Sequence, residues 1–168
     1  GAGMVIVTEP GTAMPTGPNG IAIDRSSCSD TAHSSVASAA NVMDVDVIPV
    51  PHDERGRLTG EALRAALAVT DTDGLFAVVA SAGSTNAGIV DDLAGVADVC
   101  GELGVWMHVD GAYGGAAVLA PSCRDVFARL ERADSFIVDP HKWLFAPFDA
   151  CALLYRDPAI ARDAHRQR

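Results

Sequence analysis

Of the 12 basic residues in this 168-residue chain only one, Lys142, is a lysine, and it lies within DSFIVDPHKWLFAPFDA, residues 134–150. Apolar runs on both sides are expected to lower the pKa of its amine and leave it nucleophilic. An uncharged lysine can form a Schiff base with a carbonyl; a solvated surface lysine is the plainer alternative. Other polar stretches carry further reactive types. SAGSTNAG offers Ser84, Thr85 and Asn86, HVDGAYGG offers His108, Asp110 and Tyr113, DPHK adds Asp139 and His141, and SDTAHSS adds His33. Asp110 is either a turn former or a carboxylate that, if buried, needs a cationic partner. The glycines after it let a ligand approach the backbone closely. His108 and Asp110 share one strand face, because side chains alternate with period two. A metal site of His33, His108, Asp110 and His141 can be drawn, but no H-E-x-x-H or comparable spacing supports it, and no metal is predicted. GSTNAG matches neither G-x-G-x-x-G nor G-x-x-x-x-G-K-[ST], which leaves nucleotide binding without a motif.

Such residues act together only if the fold brings them to one edge. LFAVVAS (75–81) is a continuous apolar run of the kind that a buried parallel strand shows. VDVIPV, VWMHVD and SFIVD read as further strands, GIAIDRSSC as a weak one, and CALLYRD as a last, antiparallel one. TAHSSVASAANVM, TGEALRAALAVT and DDLAGVADVCGEL read as helices; Leu63 and Leu67 stand at i, i+4, Thr59 is the expected N-cap of the second, and Gly104 ends the third. Residues 8–20, TEPGTAMPTGPNG, hold three prolines and three glycines and read as a loop or linker, and residues 1–20 are left unplaced. Strand–helix–strand order implies an α/β fold with a mostly parallel sheet and flanking helices. Sheets of that kind place ligands at the carboxyl ends of their strands. SAGSTNAG, HVDGAYGG and DPHK all leave such ends.

Composition narrows the partners. A net charge of −10 and a pI near 4.7 lack the basic face that nucleic acid needs and disfavour an anionic membrane surface. No apolar run approaches the roughly 20 residues of a membrane-spanning helix. The start lacks a basic segment, so no secretory signal is expected. Cys28, Cys100, Cys123 and Cys151 form no C-x-x-C pair and read as reduced thiols of a cytoplasmic protein.

Five segments in order carry a family likeness: SDTAHSSVASAA, VPHDERGRLTGEALRAAL, ASAGSTNAGIVDDL, WMHVDGAYGGAAVL and ADSFIVDPHKWLFAPFDACALLYRDP. Over roughly residues 21–158 the chain resembles the group II pyridoxal-phosphate-dependent amino-acid decarboxylases, the family of aromatic-amino-acid, histidine and glutamate decarboxylases. The resemblance implies the central part of a fold-type I large domain, with residues 159–168 starting a further helix. It implies pyridoxal 5'-phosphate as cofactor and decarboxylation of an L-amino acid to the amine. Lys142 would be the Schiff-base lysine, Asp110 the partner of the pyridine nitrogen, and His33 the residue stacked on the ring. Ala112 would lie near the other ring face, Thr85 near the ring oxygen, His141 near the phosphate, and Asp91 behind the site.

Ser84 and Gly111 stand where Thr and Ala are usual in that family. Asp139 stands where animal members carry Asn; a carboxylate there would repel phosphate and is expected to hold the loop through backbone N–H groups. The family's phosphate loop, mobile tyrosine loop and small C-terminal domain have no counterpart here, so a fragment of a homodimeric parent is expected. The alternatives are another fold-type I enzyme, aminotransferase- or desulfurase-like, and a truncated non-catalytic module. DPHKWL leans toward aromatic or diaminobutyrate-type substrates.

Overall fold

The computed structural model describes residues 2–8, 34–70, 72, 74–164 and 166. Its elements run in the order β1 (Ala2–Thr8), α1 (Ser34–Met43), β2 (Asp46–Pro51), α2 (Gly60–Leu67), β3 (Leu75–Ser81), α3 (Leu93–Leu103), β4 (Trp106–Asp110), β5 (Ser135–Val138), α4 (Pro140–Trp143), β6 (Ala152–Tyr155) and α5 (Pro158–Ala164). Between β4 and β5 the chain makes three short 3-10 helices within residues 115–132.

The strands form one sheet in the order β2-β1-β3-β4-β5-β6. β3, β4 and β5 pair in parallel, whereas β1 is antiparallel to both its neighbours and β6 is antiparallel to β5. β2, β3, β4 and β5 therefore run one way and β1 and β6 the other. This is an α/β fold with a mixed sheet, and its parallel centre carries the strand ends of interest. The last strand is antiparallel, as CALLYRD implies.

Alternation decides what each sheet face does. Along β4, Met107 and Val109 are buried, whereas Trp106, His108 and Asp110 are only partly covered. Val78 and Ala80 of β3 join Met107 and Val109 in the core, together with Leu63 and Leu67 from α2 and Leu93, Val96, Val99 and Cys100 from α3. Each large apolar side chain in this layer stabilises the fold by roughly 1.5–3 kcal/mol relative to exposure. The opposite face keeps the polar side chains His108 and Asp110.

Local chemistry sets the helix ends as the sequence predicts. The Thr59 side chain accepts from the Ala62 N–H at 3.1 Å, capping α2. Asp92 caps α3 by accepting from Gly95 N–H at 3.1 Å, and Gly104 ends that helix at φ 68°, a left-handed turn suited to glycine. Thr59→Ala is expected to lower stability by about 1 kcal/mol. Urea unfolding would show this as a lower midpoint with an unchanged slope.

Residues 2–8, part of the segment left unplaced on sequence grounds, form a strand inserted between β2 and β3. MVIV supplies the β-branched residues that favour extended backbone, but the proline- and glycine-rich stretch after it hides the signal. The weak strand GIAIDRSSC, the first residues of the first predicted helix, Cys28 and His33 lie outside the described residues.

Candidate active site at the carboxyl ends of β3, β4 and β5

Backbone hydrogen bonds continue past the strand ends and tie the three loops into one edge. Ala82 N–H donates to Asp110 O at 2.7 Å, and Gly114 N–H to Gly83 O at 3.1 Å. Gly111 N–H donates to Ile137 O at 3.1 Å, and Asp139 N–H to Ala112 O at 3.2 Å. Thr85, Asp110, Ala112, His141 and Lys142 thus sit on loops that are bonded to one another in series. A T-shaped contact of Tyr113 on Trp143, 5.7 Å between ring centroids, joins the loop after β4 to α4.

Asp110 ends β4, in register with Ser81 of β3 and Ile137 of β5. Its Oδ1 accepts from Ala112 N–H at 3.1 Å, which fixes the carboxylate over the turn. His108 lies two residues back on the same face, as alternation predicts. Its Nδ1 is 2.8 Å from Ser135 Oγ, which also accepts from Trp106 Nε1 at 2.9 Å. Indole N–H only donates, so the buried serine oxygen is the acceptor of that bond. Burial pushes the imidazole below its ordinary pKa, and the nearby Asp110 charge opposes this only in part.

Lys142 lies on α4, directly after β5. Its Nζ is 3.0 Å from Asp139 Oδ2, with the lysine side chain 31% exposed and the aspartate side chain 13% exposed. This differs from the expected apolar setting. Trp143, Leu144, Phe145 and Phe148 are all exposed, and what meets the amine is a carboxylate. Asp139 also departs from its predicted part, because its side chain makes no cap bond to the helix that follows. Its Oδ1 is buried without a hydrogen-bond partner among the described residues. The pairing is invisible to a strand-and-loop reading because it needs the helical turn that sets Asp139 and Lys142 at i, i+3.

His141 Nδ1 lies 2.6 Å from Ala150 O and 3.3 Å from Ala150 N, and its ring meets Phe148 edge-on. Nε2 is the nitrogen left for a ligand. Thr85 is exposed at the tip of its loop, and Ser84 Oγ accepts from Ile89 N–H at 3.2 Å. Asp91 is buried behind the edge, accepting from Leu58 N–H at 2.8 Å and Ser81 N–H at 2.6 Å. Among the described residues no three His, Cys, Asp or Glu side chains gather as metal ligands.

The donor set suits an aromatic aldehyde cofactor with a basic ring nitrogen. A carboxylate ends one strand, the chain's single lysine follows the next, and Ala112, between Asp110 and Tyr113, adds no bulk. An ideal Cβ at Gly111 would come within 2.3 Å of the Phe136 ring, so glycine at this position, where the family commonly has alanine, lets that ring close under the turn.

Comparisons with known proteins point to one family. Residues 24–166 match the family model described as the pyridoxal-dependent decarboxylase conserved domain. An aromatic-L-amino-acid decarboxylase from Drosophila lebanonensis is 42% identical over 130 residues, covering 76% of this chain and 32% of the relative. One from Bacillus atrophaeus is 39% identical over 134 residues, covering 77% of this chain and 28% of the relative. The chain thus spans about a third of the length of the curated relatives it matches. Among solved structures, the glutamate decarboxylase domain of a diaminobutyrate-pyruvate transaminase and L-2,4-diaminobutyrate decarboxylase from Vibrio parahaemolyticus superposes with a TM-score of 0.71 at 33% identity, covering 83% of this chain and 31% of that one. With its matched residues spanning all three strand ends, the chain belongs to the pyridoxal-dependent decarboxylase family.

Proposed function

We propose that this chain is the cofactor-holding part of a pyridoxal-phosphate-dependent carboxy-lyase that converts an L-amino acid, aromatic or related, to its amine. The observation that carries the reading is the placement of Asp110 and Lys142 just beyond adjacent parallel strands, with their loops joined through Gly111–Ile137 and Asp139–Ala112. When bound, pyridoxal phosphate supplies an electron sink for the pair left behind as carbon dioxide departs.

The chain's own residues do the rest. Lys142 would hold the cofactor covalently through its amine. Asp110, immobilised by Ala112 N–H, would keep a proton on the ring nitrogen and so preserve its electron demand. Ala112 leaves room beside the ring, Thr85 offers a hydroxyl from the loop after β3, and His141 offers Nε2 toward the phosphate. His33 would cover the remaining ring face. A domain spanning residues 21–158, a homodimeric parent and a cytoplasmic setting belong to the same proposal. The free thiols Cys100, Cys123 and Cys151 suit a reducing compartment. Among the described residues no helix is long and apolar enough to cross a membrane.

The test is to incubate the chain with pyridoxal phosphate, reduce with borohydride and locate the adduct by mass spectrometry. The only competing primary amine is the N-terminus. We expect an adduct at Lys142 with an imine absorbance band, lost in Lys142→Ala and weakened in Asp110→Ala. Labelling no greater at Lys142 than at the N-terminus would overturn the reading of this edge as a cofactor site. In the longer parent enzyme, carbon dioxide release without keto-acid formation separates a decarboxylase from an aminotransferase.

A further inference from the structure

Asp139 stands at the N-cap position of α4 yet caps nothing. Its carboxylate turns instead to Lys142 Nζ, 3.0 Å from Oδ2, while Oδ1 stays buried without a partner among the described residues. A cap or loop staple would spend its oxygens on backbone N–H groups, as Asp53 does with Arg55 and Arg57. Burying a carboxylate with one oxygen unsatisfied is costly, and a cation is what offsets it.

We propose that Asp139 is a positioning residue for Lys142, a latch that holds the amine at the sheet edge as an ammonium ion until a carbonyl ligand displaces it. An amine attacks a carbonyl carbon only with a free lone pair, so Lys142 must leave Oδ2 and shed a proton first. With the lysine side chain partly exposed, that proton goes to solvent. The nitrogen lone pair then forms the bond to carbon, and the carbonyl oxygen leaves as water. This inference rests on the reading of Lys142 as a carbonyl-capturing amine, but its test needs no cofactor.

The ionisable groups around the latch are few. His141 lies on the same helix with Nδ1 held by Ala150, Asp149 is 4.0 Å from that nitrogen, and the Cys151 thiol touches the Asp139 carboxylate. Burial pushes the Asp139 carboxyl up, but the Lys142 ammonium bonded to it and the neighbouring Cys151 thiol outweigh it and hold the group below the usual carboxylate range. The latch is therefore closed above that range and opens only as pH falls through it.

Formaldehyde with a mild hydride donor is the probe, because it methylates free amines without recognising the site. Lys142 methylation near neutral pH is expected to be about three- to tenfold faster in Asp139→Asn than in the unaltered chain, with the rate restored in Asp139→Glu. Equal rates in folded Asp139→Asn and unaltered chain between pH 6 and 9 would overturn the latch. A second measurement needs no variant. The single dimethyl-lysine signal from 13C-formaldehyde should show an inflection in the acid range, as Asp139 takes up its proton. A signal with no acid inflection would overturn the proposal equally. Failure of pyridoxal phosphate capture with the acid inflection intact would instead sink the cofactor reading and leave the latch standing.

Discussion

Gly83→Ala is expected to cost roughly 3–5 kcal/mol and to abolish most pyridoxal phosphate capture at Lys142. Two effects add. Gly83 has φ +97°, where an L side chain is strained by on the order of 1–3 kcal/mol. A Cβ there would also sit 2.6 Å from Gly114 Cα. That neighbour is backbone and cannot swing aside as a flexible side chain would. Relief requires the loops after β3 and β4 to part, breaking the Gly114 N–H to Gly83 O bond and adding about 1–3 kcal/mol of overpacking. Gly88→Ala separates the two effects. It has φ +64° but nothing within 4 Å of the added carbon, so only the conformational cost, about 1 kcal/mol, should appear. Urea unfolding of both variants, with borohydride-trapped adduct as the functional readout, makes the comparison. Equal losses of stability would show that the contact between the two loops contributes nothing.

That contact also shows where reading the sequence succeeds and where it stops. LFAVVAS and VWMHVD are legible as strands because apolar continuity and period-two alternation are local properties, and the alternation rightly sets His108 and Asp110 on one face. Thr59 and Gly104 are legible because caps act within one turn. β1 escapes because its place between β2 and β3 depends on partners 38–74 positions away, among them Val7 with Val47 and Val5 with Val79. The residues around Lys142 mislead for a different reason. A hydrophobic run read as burial is in fact an exposed flank, with Phe145 92% accessible in the segment between α4 and β6. The glycines in GAYGG read as room for a ligand, yet Gly114 is spent on Gly83 of the neighbouring loop. Their mutual approach is a long-range fact that no local pattern encodes. The family likeness supplies the order of the motifs, and the fold supplies the bonds that make them one edge.

Asp91 carries the other large prediction, because one buried side chain joins three elements. Its oxygens accept from Leu58, on the approach to α2, and from Ser81, the last residue of β3, while its own carbonyl accepts from Leu93 N–H at the start of α3. At 5% exposure no water replaces it. Asp91→Ala strands two buried N–H groups at about 1–3 kcal/mol each, a loss of roughly 3–5 kcal/mol in all. Asp91→Asn keeps one acceptor oxygen but turns an NH2 toward the second N–H, so it should lose about 1–3 kcal/mol near pH 4. The pH dependence distinguishes the charge from the hydrogen bonds. Burial pushes the Asp91 carboxyl from 3.8 up to about 6, more than the two N–H donors pull it down. Between those values the folded chain keeps a proton that the unfolded chain has released. Stability contributed by this group is therefore complete below about pH 4 and lost as pH rises through 6. At about 1.4 kcal/mol per unit the loss is roughly 3 kcal/mol. Other carboxylates titrate alike in both proteins and cancel in the difference. The stability gap between the unaltered chain and Asp91→Asn should accordingly narrow, or reverse, between pH 4.5 and 7.5 in urea unfolding. A gap independent of pH would mean that Asp91 is already ionised throughout that range, and that its two N–H donors outweigh its burial.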